Sequence, residues 1–201
     1  MANNPGISRR LFVGAGLAAA AAFGAMPAWA FTTEQAQTLI GKVVNDINGA
    51  IAAGGSDAKI IASFEKLFAQ YADVPTIAIS ALGPAGRSAS DAQKAAFTKA
   101  FQGYLARKYG RRFREFNGGR IEVLEARPVK SYFEVTSKAH LPGKGPFDVR
   151  WHVSERGGRQ KFFNIIIEGV NMLSSERTEI GAMLDKRKGN IDALIADLAK
   201  A

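Results

Sequence analysis

The sequence predicts an α+β fold, a single twisted antiparallel sheet of about four strands with helices packed on one face. Three observations carry this. Apolar residues recur at helical spacing from residue 36 to about 116. The period then changes from 3.6 to 2 as far as Ile167, and after Gly169 it becomes helical again. The order is helices, strands, helices, with no internal repeat and no low-complexity linker that would mark a second folded domain.

The first helix is read from Ala36, Leu39, Ile40, Val43, Val44, Ile47 and Ile51, with Thr32 or Thr33 as its cap and Gly54-Gly55 as its stop. Ser56 caps a second helix that places Ile60, Ile61, Phe64, Leu67, Phe68 and Tyr71 on one face. A short helix over 75–82 stops at Gly83-Pro84. Ser90 and Gln93 then form a capping box for a long helix carrying Phe97, Phe101, Tyr104, Leu105, Tyr109 and Phe113, which runs to about Phe116 before Asn117-Gly118-Gly119 breaks it.

Four alternating runs follow. Ile121 and Val123 flank Glu122, and Phe133 and Val135 flank Glu134. Phe147, Val149, Trp151 and Val153 alternate with Asp148, Arg150 and His152. Phe163, Ile165 and Ile167 alternate with Asn164 and Glu168, although Ile166 interrupts the polar side. Pro128, the Pro142-Gly143-Lys144-Gly145-Pro146 run and Gly157-Gly158 supply turns, and short connections of this kind join antiparallel neighbours. A helix over 177–188 and a last one with Ile191, Leu194, Ile195 and Leu198 close the chain.

Residues 1–30 differ from the rest. They hold no acidic residue, and Ser8-Arg9-Arg10-Leu11-Phe12 precedes an Ala/Gly-rich apolar stretch over 13–26 and then Pro27-Ala28-Trp29-Ala30, an A-x-A cleavage pattern. This is the layout of a signal peptide, and the paired arginines before Phe12 point to twin-arginine export. The apolar run is shorter than the roughly 18–20 residues that cross a bilayer. Cleavage near Ala30 leaves a soluble mature domain of 31–201 in the periplasm. The segment carries two of the 27 basic residues and none of the 18 acidic ones, so the formal charge falls from +9 to +7. A basic protein outside the cytoplasm meets anionic head groups and acidic protein surfaces, and no nucleic acid is expected as a partner. The chain has no cysteine, hence no disulfide, no thiolate metal site and no lipidated cysteine anchor.

Catalytic signatures are sparse. Neither His140 nor His152 is placed with a nucleophile, and both read as surface residues. No G-x-S-x-G elbow, H-E-x-x-H helix or phosphate-cradling loop occurs; Gly143-Lys144-Gly145 is a hairpin tip with no helix after it. Glu168 before Gly169 reads either as a cap or ion-pair residue or as a general base in a cone-shaped pocket. Arg107, Lys108, Arg111, Arg112 and Arg114 suit the C-terminal end of the long helix, where cations complement the dipole; they read as a solvated face or as a docking patch. No catalytic residue, metal site or cofactor is assigned, and the chain is read as a non-enzyme.

Two blocks of residues carry a resemblance. The first is Phe68-x-x-Tyr71-x-Asp73, Ile77-Ala78, Ala81-Leu82-Gly83, Arg87-x-Ala89-Ser90 and Phe97-x-x-x-Phe101-x-x-Tyr104-Leu105-x-x-x-Tyr109. The second is Glu168-Gly169-Val170-Asn171-Met172 with the closing Gly189-x-Ile191-Asp192-x-Leu194-Ile195-x-x-Leu198. In order and spacing, from about Phe64 to Leu198, the chain resembles the MlaC or toluene-tolerance family of periplasmic phospholipid-binding proteins. The family usually has Asp where Asn164 stands, Ser where Asn171 stands, an aromatic residue near Gly86 and a Trp within 160–162.

The resemblance implies a deep apolar pocket between sheet and helices, with acyl tails inside and the head group outside. It implies a carrier that moves phospholipid or a related lipid between an outer-membrane lipoprotein complex and an inner-membrane ABC transporter with an MCE-domain subunit, and so maintains outer-membrane lipid asymmetry. The expected wall is Phe97, Phe101, Tyr104 and Leu105 from the long helix and Phe133, Val135, Phe147, Val149, Trp151, Phe163, Ile165 and Ile167 from the sheet, with Val170 and Met172 at the mouth. Two other readings remain: a small-molecule enzyme of a cone-shaped α+β fold, which needs Glu168 or His140 as a buried acid or base, and a lipid-free envelope interaction module, which needs a solid core.

Overall fold

The computed structural model describes residues 31–110 and 118–201. The export segment over 1–30, Arg111, Arg112, Phe113 and Arg114, and the expected end of the long helix near Phe116 lie outside the described residues. The helices are α1 (Thr33–Ala53), α2 (Asp57–Tyr71), α3 (Val74–Leu82), the single turn α4 (Ala85–Ser88) and α5 (Asp91–Gly110). Then come β1 (Arg120–Val129), β2 (Tyr132–His140), β3 (Phe147–Arg156), β4 (Arg159–Ile167) and β5 (Val170–Asn171), followed by α6 (Met172–Lys186) and α7 (Ile191–Leu198).

Helix starts follow from capping. Thr32 is the cap of α1; its hydroxyl accepts from Gln35 N–H and the Gln35 amide oxygen accepts from Thr32 N–H. Ser90 and Gln93 make the same reciprocal pair before α5. Asp73 caps α3 and Asn190 caps α7. The helix expected over 177–188 begins five residues earlier. Asn171 accepts from Ser174 N–H at 3.0 Å, and this cap starts α6 at Met172 in a stretch whose Ser174-Ser175 pair obscures the apolar period.

The five strands form an antiparallel meander in the order β1-β2-β3-β4-β5. The fifth, not expected, is two residues long and pairs Asn171 with Ile166 and Val170 with Ile167. It is made by a two-residue turn in which Glu168 and Gly169 both take the left-handed conformation (φ +50° and +82°), as tight hairpins require. Pro128, expected in a turn, lies inside β1 opposite Phe133; β1 is an edge strand, where the missing N–H breaks no ladder bond.

Helix α1 packs along β1 and reaches across β2, β3 and β4, α2 and α3 touch β4, and α5 packs on α2, α3 and α7. The core is continuous from Ile40, Val43 and Val44 through Ile77, Ala78, Phe97 and Phe101 to Val135, Trp151 and Val153, and on to Ile180, Leu194 and Leu198. Among the described residues, no helix is long and apolar enough to cross a membrane.

Gly110 sets the crossing of α2 and α5. A Cβ there would stand 3.0 Å from Ile61 Cγ1 and 3.1 Å from Ile61 Cα, and the second of these atoms is backbone. Gly110→Ala is therefore expected to lower stability by about 1–3 kcal/mol, the range for overpacking a tight contact. Urea denaturation of the two proteins side by side checks it; an unchanged midpoint would mean that α2 shifts without cost.

Candidate functional site

The sequence-predicted wall divides into a helix half and a sheet half. On α5, residues 97, 101, 104 and 105 recur at helical spacing, so Phe97, Phe101, Tyr104 and Leu105 share one buried face. The Phe97 and Phe101 rings stack at 5.6 Å, and Phe101 leans on Tyr104 at 6.3 Å. On the sheet, Phe133 and Val135 of β2 lie beside Val149 and Trp151 of β3, with Val135 directly opposite Trp151. The Trp151 indole N–H donates to Ser137 Oγ at 2.8 Å, and that hydroxyl donates to the Val149 carbonyl at 3.0 Å. One fully buried serine thus keeps the indole satisfied inside an apolar surface.

Phe147, Ile165 and Ile167 are half-buried and pack at the margin of this core. Ile167 faces Val149, and Ile165 faces Trp151. Phe163 departs from the alternation expected of it. The ladder slips between His152 and Val153, where Asn164 pairs with His152 but Phe162 pairs with Val153. This bulge leaves Phe163 as the extra residue, its ring 5.5 Å from Tyr132 and 5.8 Å from His152. Tyr132 and His152 alternate with the core residues Phe133, Trp151 and Val153, so Phe163 turns its ring toward their face while still packing, partly buried, against the core. Phe162 takes the inward place, edge-on to Trp151 at 5.4 Å and 6.2 Å from Phe68. At the opposite margin Val170 is 54% exposed, and Met172 is half-buried as the first residue of α6.

The polar residues near the wall have fixed duties. Lys108, expected on a solvated face, reaches α6 instead. It donates to Glu176 Oε1 at 2.8 Å and also pairs with Glu179. Tyr104 donates to Glu179 at 2.5 Å, and Tyr109 donates to Glu176. Burial, reinforced by the Glu179 bond, pushes the Tyr104 hydroxyl up to about 12. Burial and Glu176 raise that of Tyr109 likewise. Burial pulls the Lys108 ammonium down, but its bonds to Glu176 and Glu179 outweigh this and leave it raised. Arg107 is also engaged: its guanidinium donates at 2.5 Å each to the carbonyls of Leu198, the last residue of α7, and of Ala201 beyond it.

Of the two residues proposed as a buried acid or base, Glu168 lacks that setting, and His140 is half-buried with its Nε2 covered. Glu168 is exposed in the β4–β5 turn, and His140 lies 3.6 Å from Glu122 on the neighbouring strand. His152, read as a surface residue, has a side chain only 12% exposed, because Tyr132 and Phe163 flank it and Glu134 lies 3.3 Å away. Glu134 itself is buried and held by Arg127 at 2.6 Å.

Sequence reasoning also missed Lys161, which donates to the Ala69, Gln70 and Ala72 carbonyls and ties β4 to the end of α2. The readable signals were local. Phe162-Phe163 and Ile165-Ile166-Ile167 both violate strict alternation, as a bulge does. Glu176 sits three residues after Leu173 and four before Ile180, an inward position once α6 is started at Met172.

A surface cleft of about 430 Å³ lies between the end of α3 and α6, lined by Leu82, Gly83, Pro84, Arg177, Gly181 and Asp185 among others. None of the predicted wall residues borders it.

Compared with known proteins, residues 37–200 match the family described as MlaC protein. A solved structure of the same fold is the phospholipid-binding protein from Ralstonia solanacearum, in complex with a phospholipid. It superposes with a TM-score of 0.71 at 19% sequence identity, covering 82% of this chain and 95% of that one.

Proposed function

The chain belongs to the MlaC family, and on that footing we propose that it is a phospholipid carrier of the periplasm and not an enzyme. The carrying observation is the family match over nearly all of the described chain, together with an aromatic-rich face of α5 and an apolar sheet face that belong to one buried core. That a relative of the same fold was solved with a phospholipid supports the choice of cargo.

The physics asks for such a surface. Each buried methylene is worth about 0.8 kcal/mol, so a lipid with about 30 of them loses more than about 20 kcal/mol in bare water. A carrier has to replace most of that burial with its own apolar groups, which only an enclosing site can do. The tails part the side chains between α5 and the sheet: Phe97, Phe101, Tyr104 and Leu105 on one side, Phe133, Val135, Val149, Trp151 and Phe162 on the other. Phe147, Ile165 and Ile167 border them, and Val170 and Met172 stand at the mouth, with the head group outside. Once bound lipid is nearly as stable as membrane lipid, small differences in affinity set the direction of transfer. The donor and acceptor in this reading are an outer-membrane lipoprotein complex and an inner-membrane ABC transporter with an MCE-domain subunit. Residues 1–30 are the export signal, and the carrier's work is outer-membrane lipid asymmetry.

The mature protein, purified from the periplasm without detergent, is expected to give a native mass spectrum shifted by one lipid per chain, with phospholipid recovered on extraction. An unshifted mass, with no uptake from phospholipid vesicles, would transfer the case to a lipid-free interaction module.

A further inference from the structure

The outer face of the sheet carries a hydrogen-bonded line that ends at the first turn of α6. Its polarity is fixed by one backbone group. Leu173 N–H can only donate, and it donates to Asn164 Oδ1 at 3.1 Å. The amide nitrogen Nδ2 of Asn164 therefore faces His152, 3.4 Å from Nδ1. An amide N–H needs an acceptor, so Nδ1 carries no proton and Nε2 does. Nε2–H points at Glu134 Oε2, 3.3 Å away. Glu134 Oε1 accepts from Arg127 Nε at 3.1 Å and Nη2 at 2.6 Å. The line Arg127–Glu134–His152–Asn164–Leu173 runs from β1 across the sheet, and it holds together only with a neutral imidazole.

We propose that His152 is a proton-operated latch on the start of α6. When Nδ1 takes a proton it needs an acceptor, and among the described residues the group hydrogen-bonded to it is the Asn164 amide, whose oxygen can serve. The amide turns over to offer it, and Leu173 N–H is left facing Asn164 Nδ2, donor against donor. The first turn of α6 loses its side-chain tie to the sheet, while β5 keeps its pairing with β4. The consequence for cargo rests on the carrier reading, since Val170 and Met172 stand at the proposed mouth; the latch itself does not.

The groups around the ring set its range. Among the described residues, β1 contributes Arg127, β2 contributes Glu134 and Tyr132, β3 contributes Arg150, β4 contributes the neutral Asn164 and Phe163, and α6 contributes a backbone N–H. Burial holds the imidazole below the ordinary histidine value and Arg150 adds to this, against the opposite pull of Glu134. The folded ring is thus harder to protonate than the unfolded one. Its contribution to stability is full above about pH 6.5 and declines as pH falls through that value toward the lower folded one.

The test follows the Leu173 amide by hydrogen exchange and the His152 ring nitrogens by ¹⁵N NMR in the lipid-free mature protein. At pH 7 the ring is expected as the Nε2–H tautomer. As the ring titrates, Leu173 protection is expected to fall about tenfold, the loss of one hydrogen bond. In His152→Phe, whose ring stays between Tyr132 and Phe163, protection should hold to within about twofold over the same range. An Nδ1–H tautomer at pH 7, protection unchanged after the ring is protonated, or an equal loss in His152→Phe would each overturn the latch. Loss of protection in a protein that takes up no lipid at any pH leaves the latch standing and removes only the carrier reading.

Discussion

Val149→Asp is expected to abolish lipid loading in a protein that still folds. Val149 is buried at the centre of the sheet face, paired with Ser137 on one side and Ile167 on the other, and an ionised carboxylate there would stand among the apolar residues of the core. Such a group either neutralises or draws in water, at a cost of about 1–3 kcal/mol for the unpaired polar atoms. Acyl tails cannot share that space with a hydrated carboxyl. Detergent-free extraction and pick-up from vesicles read the effect directly, and normal loading in folded Val149→Asp would remove the sheet face from the site. Where the substitution prevents folding, Val149→Phe separates the alternatives. If the region yields to tails, the added volume is taken up with little change in melting temperature while loading falls. If it is a solid core, overpacking costs about 1–3 kcal/mol and the protein melts earlier.

The fold was legible because each boundary has a local chemical cause. Thr32 with Gln35 and Ser90 with Gln93 announce two helix starts in the sequence and form the reciprocal bonds expected of them. The burial of β3 alternates from Val149 to Val153, and in β2 Glu134 alone breaks the alternation, so their inward residues are the ones named from spacing. The misreadings fall where a tertiary partner overrides a local rule. Strict alternation sends Phe163 inward, but the bulge beside His152 exchanges it for Phe162, and a period-2 count has no means of marking a one-residue slip. Lys108 reads as a solvated cation because its partners, Glu176 and Glu179, are some 70 residues away and on a helix whose start was placed too late. His152 reads as exposed because neighbouring charges, Arg150 and Asp148, mark a polar face. Only the register, which sets Glu134 opposite it, reveals a covered one.

The α5–α6 junction carries the largest expected change in stability. Glu176 is 3% exposed and lies on the inward stripe of α6 between Leu173 and Ile180. A carboxylate there is tolerable because Lys108 compensates its charge and Tyr109 donates to the same oxygen, while its second oxygen has no partner among the described residues. Lys108→Met keeps the length and apolar stem of the side chain and removes only the charge. The remaining buried anion then has a single hydroxyl donor, and breaking one side of a buried pair costs about 3–5 kcal/mol. The loss is to be measured by urea denaturation with the slope monitored, so that a change in compactness is not mistaken for one in stability. Removing the anion as well should reverse the effect. Lys108→Met with Glu176→Leu replaces a buried ion pair by apolar contacts, a change that is often neutral, and is expected to recover most of the stability. The sign of that coupling is the critical result. A double variant as unstable as Lys108→Met alone would mean that α6 is held by Glu176 itself and not by cancellation of its charge. Recovery would mean that the pair makes little net contribution to stability and serves to fix where α6 lies on α5, beside Tyr104 of the proposed wall.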